Sequence, residues 1–189
     1  MRRPAAAALL VIVLLAGGWS ALTYNHLVQA QLAVDAQWAQ VETQYQRRVD
    51  LVPNLTAAVQ GFLAQERVVF RDLAAARAAY VSAPPGSPDR VRAANDLERS
   101  LGRLLAVVEA YPQLRSAEVI ARLMDELAGT ENRIAVERRR YNERVRIYDT
   151  LVQQFPASLI AGAGHFAPRP YFTAAVGAGA PPAVTLPGR

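Results

Sequence analysis

Ala5-Ala6-Ala7-Ala8-Leu9-Leu10-Val11-Ile12-Val13-Leu14-Leu15-Ala16-Gly17-Gly18-Trp19-Ser20-Ala21-Leu22 carries no charge and follows Arg2 and Arg3. As a helix rising ~1.5 Å per residue, this run covers roughly 27 Å, close to the ~30 Å hydrocarbon core of a bilayer. The segment predicts a transmembrane helix, with the lipid bilayer as its partner through residues 5–22. Trp19 and Tyr24 suit the membrane–water boundary, where amphipathic rings concentrate. The basic flank lies only on the N-terminal side. Counting on from Leu22, the next arginine is Arg47, beyond the ~15–20 residues over which loop charge sets orientation. A single-pass protein of the inner membrane is therefore expected, with its N-terminus cytoplasmic and the bulk of the chain extracytoplasmic. A cleavable signal peptide is the competing reading, because Ala16-Gly17-Gly18 offers small residues of the kind a signal peptidase accepts. Against cleavage, apolar residues continue to Leu22, and Tyr24-Asn25-His26-Leu27-Val28 runs straight into a helical pattern.

Outside this anchor (1–23) and a Gly/Ala/Pro-rich tail (157–189), residues 24–156 are enough for one domain with its own core. There is no cysteine, which excludes disulfides, thiolate metal sites and a cysteine nucleophile. All 21 basic residues are arginine, and they outnumber the 16 acidic ones. They interleave with glutamates along helical faces, with no lone basic stripe and no aromatic platforms, so nucleic acid is not an expected partner.

Apolar residues after the anchor step by four and three, the spacing of one helical face. The first stripe is Leu27, Val34, Trp38, Val41 and Tyr45. Asp50-Leu51-Val52-Pro53 then reads as a break, with Asp50 capping a new helix and Pro53 in its first turn; it is either a full reversal or a kink. A second helix would carry Leu55, Val59, Phe62, Val69, Leu73, Ala76 and Tyr80. Ser82-Ala83-Pro84-Pro85-Gly86-Ser87-Pro88 is a loop. The third helix opens near Asp89 and runs through Leu97, Leu101, Leu104 and Val108. The fourth, from Ile120 through Met124, Leu127, Ile134, Tyr141, Val145, Tyr148, Val152 and Phe155, closes at Pro156. The expected fold is all-α: an N-terminal transmembrane helix followed by an elongated antiparallel four-helix bundle with coiled-coil-like seams. Residues from about 175 onward are expected to be disordered, while His165-Phe166 and Tyr171-Phe172 are apolar enough to pack back on the bundle.

Three charges fall inside the stripes: Glu66 between Phe62 and Val69, Glu131 between Leu127 and Ile134, and Arg138 between Ile134 and Tyr141. Buried charges must pair or sit at a wet gap. The structural reading is an ion pair of Glu66 with Arg138 that sets helix register. The functional reading is a ligand or partner groove, and a helix rotation that exposes these residues is the third. A di-metal site in a bundle needs Glu-x-x-His pairs; none occurs, and the histidines are His26, beside the membrane, and His165, in the tail. No metal or cofactor is expected. Gly162-Ala163-Gly164 is followed by prolines and not by a helix, so it is no phosphate loop, and nothing reads as an active site.

Tyr24-Asn25 and Gln46-Arg47-Arg48-Val49-Asp50-Leu51-Val52-Pro53-Asn54-Leu55 closely resemble the signature of the LemA family. The likeness continues at Glu66, Ala76-Arg77-Ala78, Glu109-Ala110-Tyr111-Pro112-Gln113-Leu114, Thr130-Glu131-Asn132-Arg133-Ile134-Ala135, Arg139-Arg140-Tyr141-Asn142 and Phe155-Pro156. It keeps order and spacing from residue 24 to about 172. Asp149 in place of Asn and Gln113 are small departures. The resemblance implies a single-pass membrane protein with an antiparallel helical bundle and no established enzymatic activity. It also implies roles for the matched residues. Asp50, Pro53 and Asn54 fall at a helix start, Glu109 and Tyr111-Pro112 at a helix end, and Glu66, Arg77, Glu131, Arg138 and Asn142 in an internal polar network. For each, architecture is the plainer reading and binding the sharper one.

The leading expectation is a non-enzymatic, membrane-tethered scaffold or adaptor of the bacterial envelope, engaging other envelope proteins along its helices. The alternative is a small-molecule or peptide sensor that uses the polar seam as a groove. Self-association through exposed helix faces is a second form of partnership the sequence allows.

Overall fold

The computed structural model describes residues 2–63, 65–111, 114 and 117–172. They form five helices: α1 (Arg2–Gln60), α2 (Arg67–Ser82), α3 (Pro88–Glu109), α4 (Glu118–Gln153) and α5 (Ala157–Ala163). No strand occurs among the described residues. α1 packs along α4 and α2 along α3, with α5 folded back onto both α1 and α4. Expected disorder beyond about 175 and the Pro112 turn lie outside the described residues.

The expected break at Asp50–Pro53 is corrected: the helix that begins in the apolar span continues through both residues to Gln60, with Pro53 inside it. A helical proline removes one amide donor, and here the acceptor deprived is the carbonyl four residues earlier, on Val49. Arg77 of α2 fills that position, its Nε donating to the Val49 carbonyl at 3.2 Å. Asp50 is therefore no N-cap; it is exposed mid-helix and accepts from Gln46 Nε2 at 2.8 Å. Pro53 and Asn54 are exposed on the same helix. The helix gives way instead just after Gln60, where Gly61 weakens it and the amides of Phe62 and Leu63 both close on the Val59 carbonyl at 3.0 and 3.1 Å.

The other boundaries follow local chemistry. Ala83 is extended ahead of Pro84, as a residue before proline prefers. Gly86, at φ +70°, makes the turn into α3. Ser87 then caps α3, its hydroxyl accepting from the Arg90 amide at 3.1 Å, with Pro88 at the first helical position. α3 ends at Glu109, as the sequence suggests, with Tyr111 half-buried just beyond it. α4 ends at Gln153, with Gln154 extended at its C-cap just ahead of Phe155-Pro156.

The stripes form the core. Leu27, Val34, Trp38, Val41 and Tyr45 are buried on α1, Leu97, Leu101, Leu104 and Val108 on α3, and Leu127, Ile134, Tyr141, Val145 and Tyr148 on α4. The N-terminal part of α1 is the opposite. Leu9 through Leu15 are each more than half exposed. A helix apolar all round and unburied by protein requires a nonaqueous surround, and α1 is long and apolar enough there to cross a membrane.

Candidate functional site

The middle of the bundle holds a layer of paired charges. Arg48, on the inward face of α1, is 2% exposed. Its Nη1 lies 2.7 Å from both carboxylate oxygens of Glu98 on α3. Its Nη2 lies 3.7 Å from Glu131 on α4, whose side chain stays 63% exposed. Burial pushes the Glu98 carboxyl above the usual glutamate range, even though Arg48 and Arg138 pull it down. Arg138 donates to Asn95 Oδ1 and sets its guanidinium 4.5 Å over the Phe172 ring.

A second arginine closes the α2–α3 corner. Arg90 donates to the Tyr80 carbonyl, to Ala83 O at 3.1 Å, and to Glu42 of α1. It satisfies carbonyls that the end of α2 leaves without intrahelical donors and lies 4.0 Å over the Tyr80 ring. Burial raises the Tyr45 hydroxyl far above its ordinary range and pushes Tyr80 up to about 12.

The third element is a strap. After α5 the chain turns at Gly164, where a side chain would strike the Phe166 ring at 2.6 Å, and His165, at φ 58°. Residues 166–172 then run along α1 and α4. Phe166 meets Tyr24 edge-on at 5.5 Å. Asp149 accepts from the Arg169 amide at 3.0 Å, and Tyr141 donates to the Pro170 carbonyl at 3.1 Å. The Asn142 amide grips the Phe172 backbone on both sides, donating to its carbonyl at 2.8 Å and accepting from its N–H at 2.9 Å. The Phe172 ring stacks on Trp38 at 5.6 Å with planes 4° apart.

The residues expected in one polar network are thus divided. Glu131 and Arg138 border the Arg48–Glu98 pair, Arg77 serves the proline gap, and Asn142 holds the strap. Glu66 stands at the N-cap of α2 without a side-chain capping bond and makes no ion pair among the described residues. The Glu66–Arg138 pair is corrected accordingly: Glu66 follows the far end of α1, whereas Arg138 lies level with Asn95 at mid-bundle. Sequence reasoning misses Arg48, Glu98, Arg90 and Glu42. Arg48 does carry a signal, because the four-three count from Val41 through Tyr45 lands on it. No group of three metal-ligating side chains occurs among the described residues.

This architecture defines a class: a membrane-associated, all-helical protein whose inward charges face one another. The chain matches the LemA family over residues 37–186, most of its length, and belongs to that family. It is similar to magnetosome proteins MamQ 1 and MamQ 2 of Paramagnetospirillum magneticum, each 26% identical over 176 residues, covering 80% of this chain and 65% of theirs. Magnetosome protein MamQ of Magnetospirillum gryphiswaldense is 26% identical over 165 residues, covering 74% and 61%. The chain spans 61–65% of the length of these curated relatives.

Proposed function

We propose that the protein is a non-enzymatic scaffold or adaptor of the bacterial envelope. In this reading residues 1–23 anchor it in the inner membrane, 24–156 form the bundle, and the N-terminus is cytoplasmic. The observation that carries this reading is the continuity of α1, which passes from the exposed apolar span into the bundle without a linker. A continuous helix transmits position, so a partner held on the bundle is held at a set height above the lipid. The signature supplies a surface for that contact. Gln46, Asp50 and Asn54 repeat every four residues on the exposed face of α1 and border an open trough of about 710 Å³ with Glu42, Thr43 and Arg47. Orientation rests on Arg2 and Arg3 preceding the span.

The test is in-cell photo-crosslinking from Gln46, Asp50 and Asn54, with an exposed position on α3 such as Ala106 as control. The reading predicts one discrete envelope-protein adduct from the α1 stripe and none from the control. Absence of any adduct from all three stripe positions contradicts it. Labelling of a cysteine placed at Asp50 by an impermeant thiol reagent on intact cells checks the extracytoplasmic assignment.

A further inference from the structure

Two chain segments lack Asp, Glu and Arg and meet in space. On α1 no Asp, Glu or Arg occurs between residues 4 and 34, and after Asp149 none occurs from 150 to 168. The end of α4 and the start of α5 pack beside the last turns of the apolar span, where Phe155 and Pro156 share a shallow notch of about 210 Å³ with Trp19 and Thr23. α5 turns Ala161 inward, 1% exposed, and leaves Leu159 outward at 64%. Phe155, at the corner between α4 and α5, is 76% exposed.

An exposed phenylalanine and leucine on a charge-free corner are unfavourable in water. The same corner lies level with Trp19 and Leu22, themselves 41% and 65% exposed at the end of the span, so the apolar surface of the anchor continues sideways onto the base of the bundle. Apolar side chains at this depth sit favourably about 5–10 Å into the headgroup–acyl boundary.

We propose that Phe155 to Ile160 form a lipid-embedded foot, lying in the interface of the bilayer beside the span and seating the base of the bundle on the membrane. The foot gives the domain two lipid contacts instead of one, which restrains tilt and rotation about α1. This rests on residues 5–22 being the membrane span.

The absence of cysteine makes site-directed spin labelling direct. The full chain in nanodiscs of neutral and anionic phospholipid would carry single labels at Leu159, Phe155, Ile12 or Ala106, all exposed positions. Collision rates with oxygen and with a water-soluble Ni(II) chelate give depth. The foot predicts that labels at 155 and 159 show high oxygen and several-fold lower Ni(II) collision than the label at 106. Ni(II) collision at both positions equal to that at 106, with the label at 12 still protected, overturns the foot and leaves the anchor standing. Ni(II) access at 12 overturns the anchor and the foot together.

Discussion

Arg77 and Pro53 should be energetically coupled through an atom that belongs to neither. Pro53 lacks the amide that would bond the Val49 carbonyl, and Arg77 Nε occupies that acceptor at 3.2 Å. Val49 is fully buried, so losing the guanidinium leaves its carbonyl without that donor. A bond from a charged donor contributes about 1.5–3 kcal/mol, and Arg77→Met should cost about 2 kcal/mol. Pro53 is exposed and interior to a helix, so Pro53→Ala should stabilise by about 1–3 kcal/mol, up to the propensity difference. In the double variant the amide restored at position 53 satisfies the Val49 carbonyl, and the cost of losing Arg77 should fall below about 1 kcal/mol. The assay is guanidinium unfolding of the four proteins in one mild detergent, followed by far-UV circular dichroism. Effects that add to within about 0.5 kcal/mol refute the shared-carbonyl reasoning.

Two other predictions concern the charge layer and the strap. Arg48→Met strands Glu98 and should cost about 3 kcal/mol, the lower end for a broken buried pair because Glu98 keeps some exposure; an unchanged unfolding midpoint contradicts this. The Glu98 carboxyl is raised by burial, so the folded state holds its proton to higher pH than the unfolded chain. Its contribution is present below the unfolded value and is lost as pH rises through the folded one. Wild type should therefore gain stability relative to Glu98→Gln as pH falls through the window just above the usual glutamate range, and a pH-independent difference in unfolding free energy opposes this. Asn142→Ala removes both bonds to the Phe172 backbone. It should expose Trp38, giving red-shifted emission and faster proteolysis within 165–172 while helicity is kept; emission identical to wild type contradicts the strap.

Much of the bundle is legible because helical spacing survives in single residues: every stripe position named on α3 is fully buried. The misses share a cause. Pro53 reads as a helix start because the donor that lets a helix run through it, Arg77, lies on another helix. Once that break is assumed, the count from Val59 through Phe62 to Glu66 runs past the true end of α1 at Gln60, and Phe62 proves 65% exposed. The count thereby assigns Glu66 to a seam it never enters. Phe155 continues the α4 stripe in sequence but lies past its end, at the corner. The strap is readable only as apolar pairs. Its recognition by Asn142 and Asp149 is of backbone atoms, which leave no mark on residue identity.

The account stands on α1 being one rigid helix from lipid to bundle, and a spin–spin distance tests that directly. Labels at Leu14 and Asp50 of the full chain in nanodiscs, measured by double electron–electron resonance, should give a single narrow distribution near ~54 Å, at about 1.5 Å per residue. A broad distribution, or one centred well below about 45 Å, would mean a hinge between span and bundle and would contradict it.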